Sequence, residues 1–588
     1  MKKVFSIFFS LFITICFINS QNCNCDYVIA PNVSNVDNVK LKIQPGDTVC
    51  IQASTRRTLR LANFNGTPEK PIVFMNYGGE VIIQGEDLQY GIGIVNSSFI
   101  QLTGTGFSGT KYGIRILKTM EGGSMGIGVG DRSTNFEIDH IEIANVGFAG
   151  IMAKTDPKCD LSVNRGNFTQ FQTIIHDNYI HNTGGEGLYI GHSFYSGRNA
   201  TCNGEPVVLF PSVLKGVRIY NNLIDSAKWD GIQIGSADED CEIYNNKVLN
   251  YGIDKISGQN SGIQMGGGTT GKCYNNVIQD GNGNGIAVFG NGNIDIYNNL
   301  IVNPGKDYVV EDISRPAHGI FVDNGSTLEG SYFNIFNNSI LNPKTDGIRF
   351  QNNISVNNNI YNNIIVNPGS LLFYVKIPSK SPWINMNLPN VVLNKSNNLF
   401  EVNIDSVHFV DHTNYNFRLL HNSPAIDNGF DVSGFGVEYD HDYNLRPQGN
   451  GYDIGAYEYI SDSISMQNAT LMELAEKNVP NIENLNSTAN LKENDKISLQ
   501  SKNEIIPSTD FEIYPNPSYG QFKLIRKYSS NVNIIICDVM GNIVYRENNN
   551  NDLGKEIDIS RKLDEVKYFI TLTDANSKTT KSILINDR

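Results

Sequence analysis

Charge is scarce in this chain: of 588 residues only 18 % are Asp, Glu, Lys or Arg, against ~25 % in an average soluble domain. Basic tracts are missing too. With 46 Lys and Arg against 60 Asp and Glu, the formal net charge is −14, which excludes a nucleic-acid backbone as a partner. Tryptophan occurs twice and histidine nine times. Among nine cysteines no Cys-x-x-Cys pair or Cys/His cluster has zinc-ligand spacing, which leaves disulfides or buried thiols. What is plentiful is Gly (55), Asn, Tyr (27) and Phe (29), a composition of strands and turns that excludes helical bundles and coiled coils. The length exceeds the ~250–300 residues that one compact core supports, so the chain is multi-domain or elongated.

The N-terminus reads as a secretory leader. Lys2 and Lys3 precede an apolar run from Val4 to Ile18, and small Ser20 follows, the layout of a cleaved signal peptide over 1–20. The run is shorter than the ~20 residues a membrane span needs, and the mature chain contains no longer one. Cleavage takes the formal charge to −16 and sends the protein to an oxidising compartment.

A repeat organises the middle. Tyr220-Asn221-Asn222, Tyr244-Asn245-Asn246, Tyr274-Asn275-Asn276, Tyr297-Asn298-Asn299, Phe336-Asn337-Asn338 and Tyr361-Asn362-Asn363 recur in steps of 24, 30, 23, 39 and 25 residues. Most are followed by a Gly-aliphatic step such as Gly231-Ile232, Gly262-Ile263 or Gly285-Ile286, with weaker copies from Gly91-Ile92 onward. A period near 23, with two or three short alternating strands per unit, defines a solenoid whose units bury their apolar faces by stacking. Ten to twelve coils at ~4.8 Å each make a rod of roughly 50–60 Å. The column from Asn178 to Asn363 reads as a structural ladder of turn amides. These repeats, over roughly 90–370, resemble the right-handed parallel β-helix of the pectate-lyase-like superfamily. The fold expected is therefore all-β: a right-handed parallel β-helix solenoid, then a flexible linker and a small C-terminal β-sandwich. That superfamily contains lyases, hydrolases, epimerases and non-catalytic adhesins, so the resemblance implies no single reaction.

Three further blocks follow. Phe417 to Tyr459, with NFRLLHNSPAIDNG and DHDYNLRPQGNGYDIGAYEY, resembles the choice-of-anchor Q region that caps many surface β-helix proteins. Its Asp427, Asp440, Asp442, Arg446, Asp453 and Glu458 read as turn and ion-pair formers that seal an open sheet edge. Residues 461–510 lack Gly, Phe, Trp and Tyr and form a tether. Phe511 to Phe522 reads FEIYPNPSYGQF, followed by IIICDVMG and two more alternating runs; this resembles the type A C-terminal sorting domain of the type IX secretion system, with Lys567 where Gly is usual. The resemblance implies export through the type IX machinery of a Bacteroidetes-type bacterium, removal of the tail, and release or attachment at the cell surface. The domain boundaries read as leader 1–20, N-terminal cap and first coils 21–90, β-helix 91–400, cap 401–460, linker 461–510 and sorting domain 511–588.

Long steps between glycines place inserted loops around 155–172, 192–216 and 304–317, which should rim a groove over the middle coils. Strand parity puts Glu186, Tyr189, Asp230, Gln233, Gln264, His318, Phe321, Asp346 and Arg349 outward on the groove face, with Lys228 and Trp229 beside Asp230. Extracellular polysaccharide is the ligand such a rod suits. Lyase-type cleavage in the groove is the first expectation; it would draw on Lys228, His192, His318, Arg349 and Tyr189 for its base and its carboxylate-neutralising group, with Glu186 and Asp230 able to hold Ca²⁺. A glycoside hydrolase would use Glu186 and Asp230 as a carboxyl pair. The non-enzymatic alternative is a surface adhesin or glycan-binding protein.

Overall fold

Each Tyr-Asn-Asn triplet ends one strand and turns the chain into the next. The first Asn takes the left-handed backbone region (Asn221, Asn245 and Asn275 have φ 54–55°), which asparagine tolerates because its short side chain bonds locally. The second Asn turns inward and is buried. Asn246 Oδ1 accepts from the N–H and the Nδ2 of Asn222 (3.1 and 3.0 Å), while Asn246 Nδ2 donates to Asn276 Oδ1 (3.0 Å) and to the Ile219 carbonyl (2.9 Å). This ladder runs from Asn178 to Asn363 and continues to Asn398. The Tyr rings stack on the outside at the same spacing, with Tyr220, Tyr244, Tyr274 and Tyr297 centroids 4.8–5.0 Å apart.

The computed structural model describes residues 25–307, 315–369, 383–386 and 388–461, and, of the C-terminal unit, seven strands between 511 and 584. The leader, nearly all of the tether and the Pro-Asn-Pro turn of the tail lie outside the described residues. One coil shows the architecture. Val213–Tyr220 lies in a first parallel sheet, Leu223–Ala227 in a second and Ile232–Ile234 in a third. Sheet 3 has 12 parallel strands, from Asn35–Asp37 to Ile384–Met386. Sheets 1 and 2 form one 23-stranded array, because Ile72–Gln84 bends from one into the other, pairing with Ser98–Thr103 and then with Ile114–Lys118. Inward residues such as Val217, Ile219, Ile224, Ile232 and Ile234 fill a continuous core along the stack. The chain is thus a parallel β-helix whose coils begin upstream of the first recognisable Gly-aliphatic step.

The recurrent Gly is a steric requirement of the turn into sheet 3. A Cβ on Gly231 would lie 2.3 Å from Val248 Cγ1 and 2.6 Å from the Gly262 carbonyl oxygen, closer than van der Waals contact allows. Cysteines meet both expectations: Cys25–Cys50 and Cys159–Cys202 are disulfides, and Cys241 and Cys273 are buried thiols.

The segment after the last coil corrects one expectation. It is a plate on the flank of the rod rather than a seal on a sheet edge. Outward-facing Leu300, Leu341 and Ile364 of sheet 2 pack against Phe409, Phe417 and Ile454. The left-handed asparagines supply the polar contacts: Asn298 Nδ2 donates to the Tyr439 carbonyl (2.6 Å), Asn337 Nδ2 to that of Asp453 (2.9 Å) and Asn362 Nδ2 to that of Phe430 (2.8 Å). The acidic residues of this block serve structure, as read from the sequence. Arg446 and Glu458 form a fully buried ion pair (2.8 Å), Asp442 pairs with Arg418 (2.6 Å), and Asp440 and Asp453 accept backbone N–H groups.

The C-terminal unit, residues 478–588, contains two antiparallel sheets. One holds Phe511–Tyr514, Gln521–Arg526 and Gly554–Asp558; the other holds Val532–Asp538, Ile543–Asn550, Lys567–Thr573 and Lys578–Leu584.

Candidate functional site

Sheet 3 carries the outward row expected from parity. Tyr189, Gln233, Gln264, Ala287, Phe321, Arg349 and Asn385 pair in register across successive strands. A second column precedes the glycines. The N–H of Gly187 bonds the Asp230 carbonyl, that of Gly231 the Ser261 carbonyl and that of Gly319 the Asp346 carbonyl, so Glu186, Asp230, Ser261, Asn284, His318 and Asp346 occupy successive rungs.

Walls rise at both ends of these strands. On one side the Cys159–Cys202 disulfide ties the loop after Ala153 to the antiparallel hairpin of Arg198–Cys202 and Glu205–Leu209. The ring of Tyr195 fills the space beside Gly268; the Arg165 guanidinium lies 3.9 Å from that ring's centroid and donates to the Tyr195 carbonyl (2.6 Å). On the other side Gly252 N–H bonds the Trp229 carbonyl (2.9 Å) and Asp254 N–H that of Lys228 (3.0 Å), pinning the loop after Asn250 to the preceding coil. An aromatic group stands there too, with Phe148 against Trp229 (5.4 Å) and Tyr189 (6.0 Å).

Between the walls lies an unusual concentration of unsatisfied polar atoms. Glu186 and Asp230 have no exposed surface, Gln233 has 1 % and Gln264 6 %. Both Glu186 oxygens, Asp230 Oδ2, both Gln233 amide atoms and Gln264 Oε1 make no hydrogen bond. Asp230 Oδ1 accepts the Ser261 N–H at 2.6 Å. Burial pushes the Glu186 carboxyl up to about 7. The Asp230 carboxyl is pushed well above its ordinary range, first by burial and further by the Glu186 charge, against the Ser261 N–H. Outward parity holds for Gln233 and Gln264, whose strand neighbours fill the core, but neither they nor Glu186 and Asp230 are exposed to solvent.

His318, Asp346 and Arg349 form a separate cluster. Asp346 Oδ2 lies 3.3 Å from His318 Nδ1 and 3.2 Å from Arg349 Nη1, and it accepts Asn385 Nδ2 at 3.2 Å. Thr345 Oγ1 meets His318 Nδ1 at 2.8 Å. Burial holds the imidazole below its usual range, with Asp346 opposing. Three rungs separate Asp230 from His318, about 14 Å at ~4.8 Å per rung, so five of the seven residues singled out from sequence divide into two groups. His192 joins neither: it is buried in the wall, its Nε2 faces the Thr155 carbonyl (3.1 Å), and burial with Lys154 pushes it down to about 4. Lys228 is exposed on the flank.

One constellation escaped the sequence reading. On sheet 1, ligand atoms of Glu137, Asp139 and His176 lie within 4.8 Å of one another. His176 Nε2 is 3.0 Å from Glu137 Oε1, and its Nδ1 is 2.7 Å from Asp177 Oδ2. Glu137 and Asp139 at i, i+2 share one strand face, the signal that could have found them. Among the described residues this is the one grouping of three metal-type ligands; Glu186 and Asp230, considered for Ca²⁺, do not belong to it.

Fold and tail define an exported parallel β-helix protein. Residues 512–586 match the family described as secretion system C-terminal sorting domain, so the chain carries a type IX sorting tail and is destined for the cell surface or the medium. No helix among the described residues is long and apolar enough to cross a membrane. No curated protein matches the chain. Similar solved structures include an alginate lyase from Paenibacillus sp. str. FPU-7 (15 % identity, 63 % of this chain and 99 % of that one, TM-score 0.29). XylC in complex with xylose is 13 % identical, over 73 % and 98 % of the two chains, with TM-score 0.34. The mannuronan C-5 epimerase AlgE4 A-module of Azotobacter vinelandii is 12 % identical, over 61 % and 89 %, with TM-score 0.28. With scores this low, the chemistry of this chain rests on its own side chains. Deleting 511–588 should retain the protein in the periplasm, read by fractionation and immunoblot; a truncated chain that still reached the surface would refute the tail's role.

Proposed function

We propose that the protein cleaves an extracellular polysaccharide by acid–base hydrolysis in the groove over sheet 3, with Asp230 as proton donor and Glu186 as its carboxylate partner. The observation that carries this reading is the pair itself: two buried carboxyls on adjacent rungs, three of whose four oxygens have no protein partner. Leaving buried polar groups unpaired costs stability, and such a cost is commonly retained where a ligand completes the bonds.

The roles follow from the environments. Asp230, whose carboxyl burial pushes well above its ordinary range, is assigned the proton; the Ser261 N–H fixes Oδ1 and leaves Oδ2 to address a glycosidic oxygen. Glu186 ionises near pH 7 and supplies the carboxylate that activates water or stabilises the positive sugar centre. Asp230→Asn keeps the shape and removes the proton, and should lower the rate at least ~100-fold with the fold intact. Reducing-sugar release from a polysaccharide panel tests this. Wild-type rates in the variant would move the site elsewhere.

The second cluster supports a different reading. Arg349 and His318 around Asp346 have the cation and the base that β-elimination of a uronate requires. Absorbance of unsaturated uronate products, lost in Arg349→Ala and retained in Asp230→Asn, would select it. Binding without any product would select the adhesin.

A further inference from the structure

The unpaired atoms in the groove are unequal in kind. Counting those with no hydrogen bond around Glu186, there are five acceptors (two on Glu186, one each on Asp230, Gln233 and Gln264) and one donor, Gln233 Nε2. With one proton on the pair, as the proposed roles require, there are two donors to four acceptors. A ligand that satisfies this set must chiefly donate, and hydroxyl groups do so, whereas carboxylate and sulfate groups can only accept.

Charge points the same way. The influences on Glu186 are burial and its own backbone; those on Asp230 are burial, the Ser261 N–H and Glu186. No cation acts on either group. The nearby basic side chains are engaged or turned away. Lys154 pairs with Asp156 (2.6 Å), Arg165 is held on Tyr195, and Lys228 is exposed. An anionic sugar here would meet one or two carboxyl groups in a water-poor site with no compensating charge, an arrangement that low dielectric makes expensive. The Phe148, Trp229 and Tyr189 group at the edge of this floor offers apolar surface of the kind that carbohydrate C–H faces cover.

We infer that the subsite at Glu186, Asp230, Gln233 and Gln264 takes an uncharged, hydroxyl-rich sugar, so that the polymer bound there is a neutral glycan rather than a uronate or sulfated one. The inference deepens the proposed function and rests on that groove being the ligand site. It also separates the two clusters, since a uronate carboxylate could be met only at Arg349, about 14 Å along the floor.

Calorimetric titration of the full chain with reducing-end-reduced oligosaccharides of xylan, mannan, galactan, polygalacturonate, alginate and chitosan tests this. Binding is expected for at least one neutral series and for neither uronate series. Gln233→Leu should weaken it at least ~10-fold, the loss of one or two hydrogen bonds; Gln264→Met serves if the first variant does not fold. Tighter binding of a uronate series, binding of chitosan alone, no binding at all, or neutral binding indifferent to both variants would overturn the inference. Hydrolysis read in parallel keeps the two proposals apart. A neutral glycan bound but never cleaved sinks hydrolysis and supports the neutral subsite, whereas an Asp230-dependent cleavage of polygalacturonate does the reverse.

Discussion

Glu186→Gln is expected to make the protein more stable and inactive at once. The carboxyl titrates at about 7 in the folded chain against an ordinary 4.5, because nothing but burial acts strongly on it. The unfolded chain therefore releases this proton at lower pH than the folded one. With fewer protons bound in the unfolded state, stability falls as pH rises: the contribution of Glu186 is intact below about 4.5 and lost by about 7. A shift of this size corresponds to about 3 kcal/mol. The amide has no proton to lose, so its thermal or urea midpoint should match wild type near pH 4.5, diverge upward through pH 7 and stay higher above it. Cleavage should fall at least ~100-fold. A variant whose stability advantage does not grow with pH would show that the carboxyl reaches solvent or an unseen partner; unchanged turnover would remove Glu186 from the chemistry.

The second large effect concerns Asn276→Leu. Asn276 occupies one rung of the amide ladder: it donates to Asn299 Oδ1 through both its N–H and its Nδ2 (3.0 Å each) and to the Ile243 carbonyl (2.9 Å). Its Oδ1 accepts from the N–H and Nδ2 of Asn246 (3.0 Å each). Leucine has nearly the same volume but leaves the buried Asn246 N–H above without its acceptor and removes one donor each from the Ile243 carbonyl and from Asn299 Oδ1, which keeps the backbone N–H of position 276. At ~1–3 kcal/mol for a buried group left unpaired and ~1 kcal/mol for a lost bond, the loss should reach about 3 kcal/mol, read as a falling urea midpoint at constant slope. An unchanged midpoint would mean that water substitutes for the amide.

The coils were legible because a ladder demands the same chemistry on every rung. Tyr-Asn-Asn and Gly-aliphatic steps therefore repeat visibly, and the outward parity of Gln233 and Arg349 followed from alternation. Burial of Glu186 and Asp230 could not be read this way. It depends on packing around the groove by segments whose spacing carries no period, such as those around Tyr195 and after Asn250. The flank plate was hidden for a related reason: Leu300, Leu341 and Ile364 look like core residues in sequence, and only the three-dimensional turn shows that they point outward and need a cover. His192 and Lys228 were gathered with the site by adjacency in sequence, yet one side chain enters the wall and the other leaves it.

The asparagine corner also bears on how such a rod can change over generations. Nine residues separate Asn222 from Gly231, Asn276 from Gly285 and Asn338 from Gly347, but sixteen separate Asn246 from Gly262 and twenty separate Asn299 from Gly319. Along the amide ladder the corner between sheets 1 and 2 keeps one length, since an added residue would throw the amides out of step, whereas before the ladder, between Ser98–Thr103 and Ile114–Lys118, it holds residues 104–113. Within the ladder coils length is gained at the edges of sheet 3, where the walls stand. Heredity can thus rewrite the groove while the opposite corner keeps count of the rungs, and ligand preference can drift without the fold having to be found again.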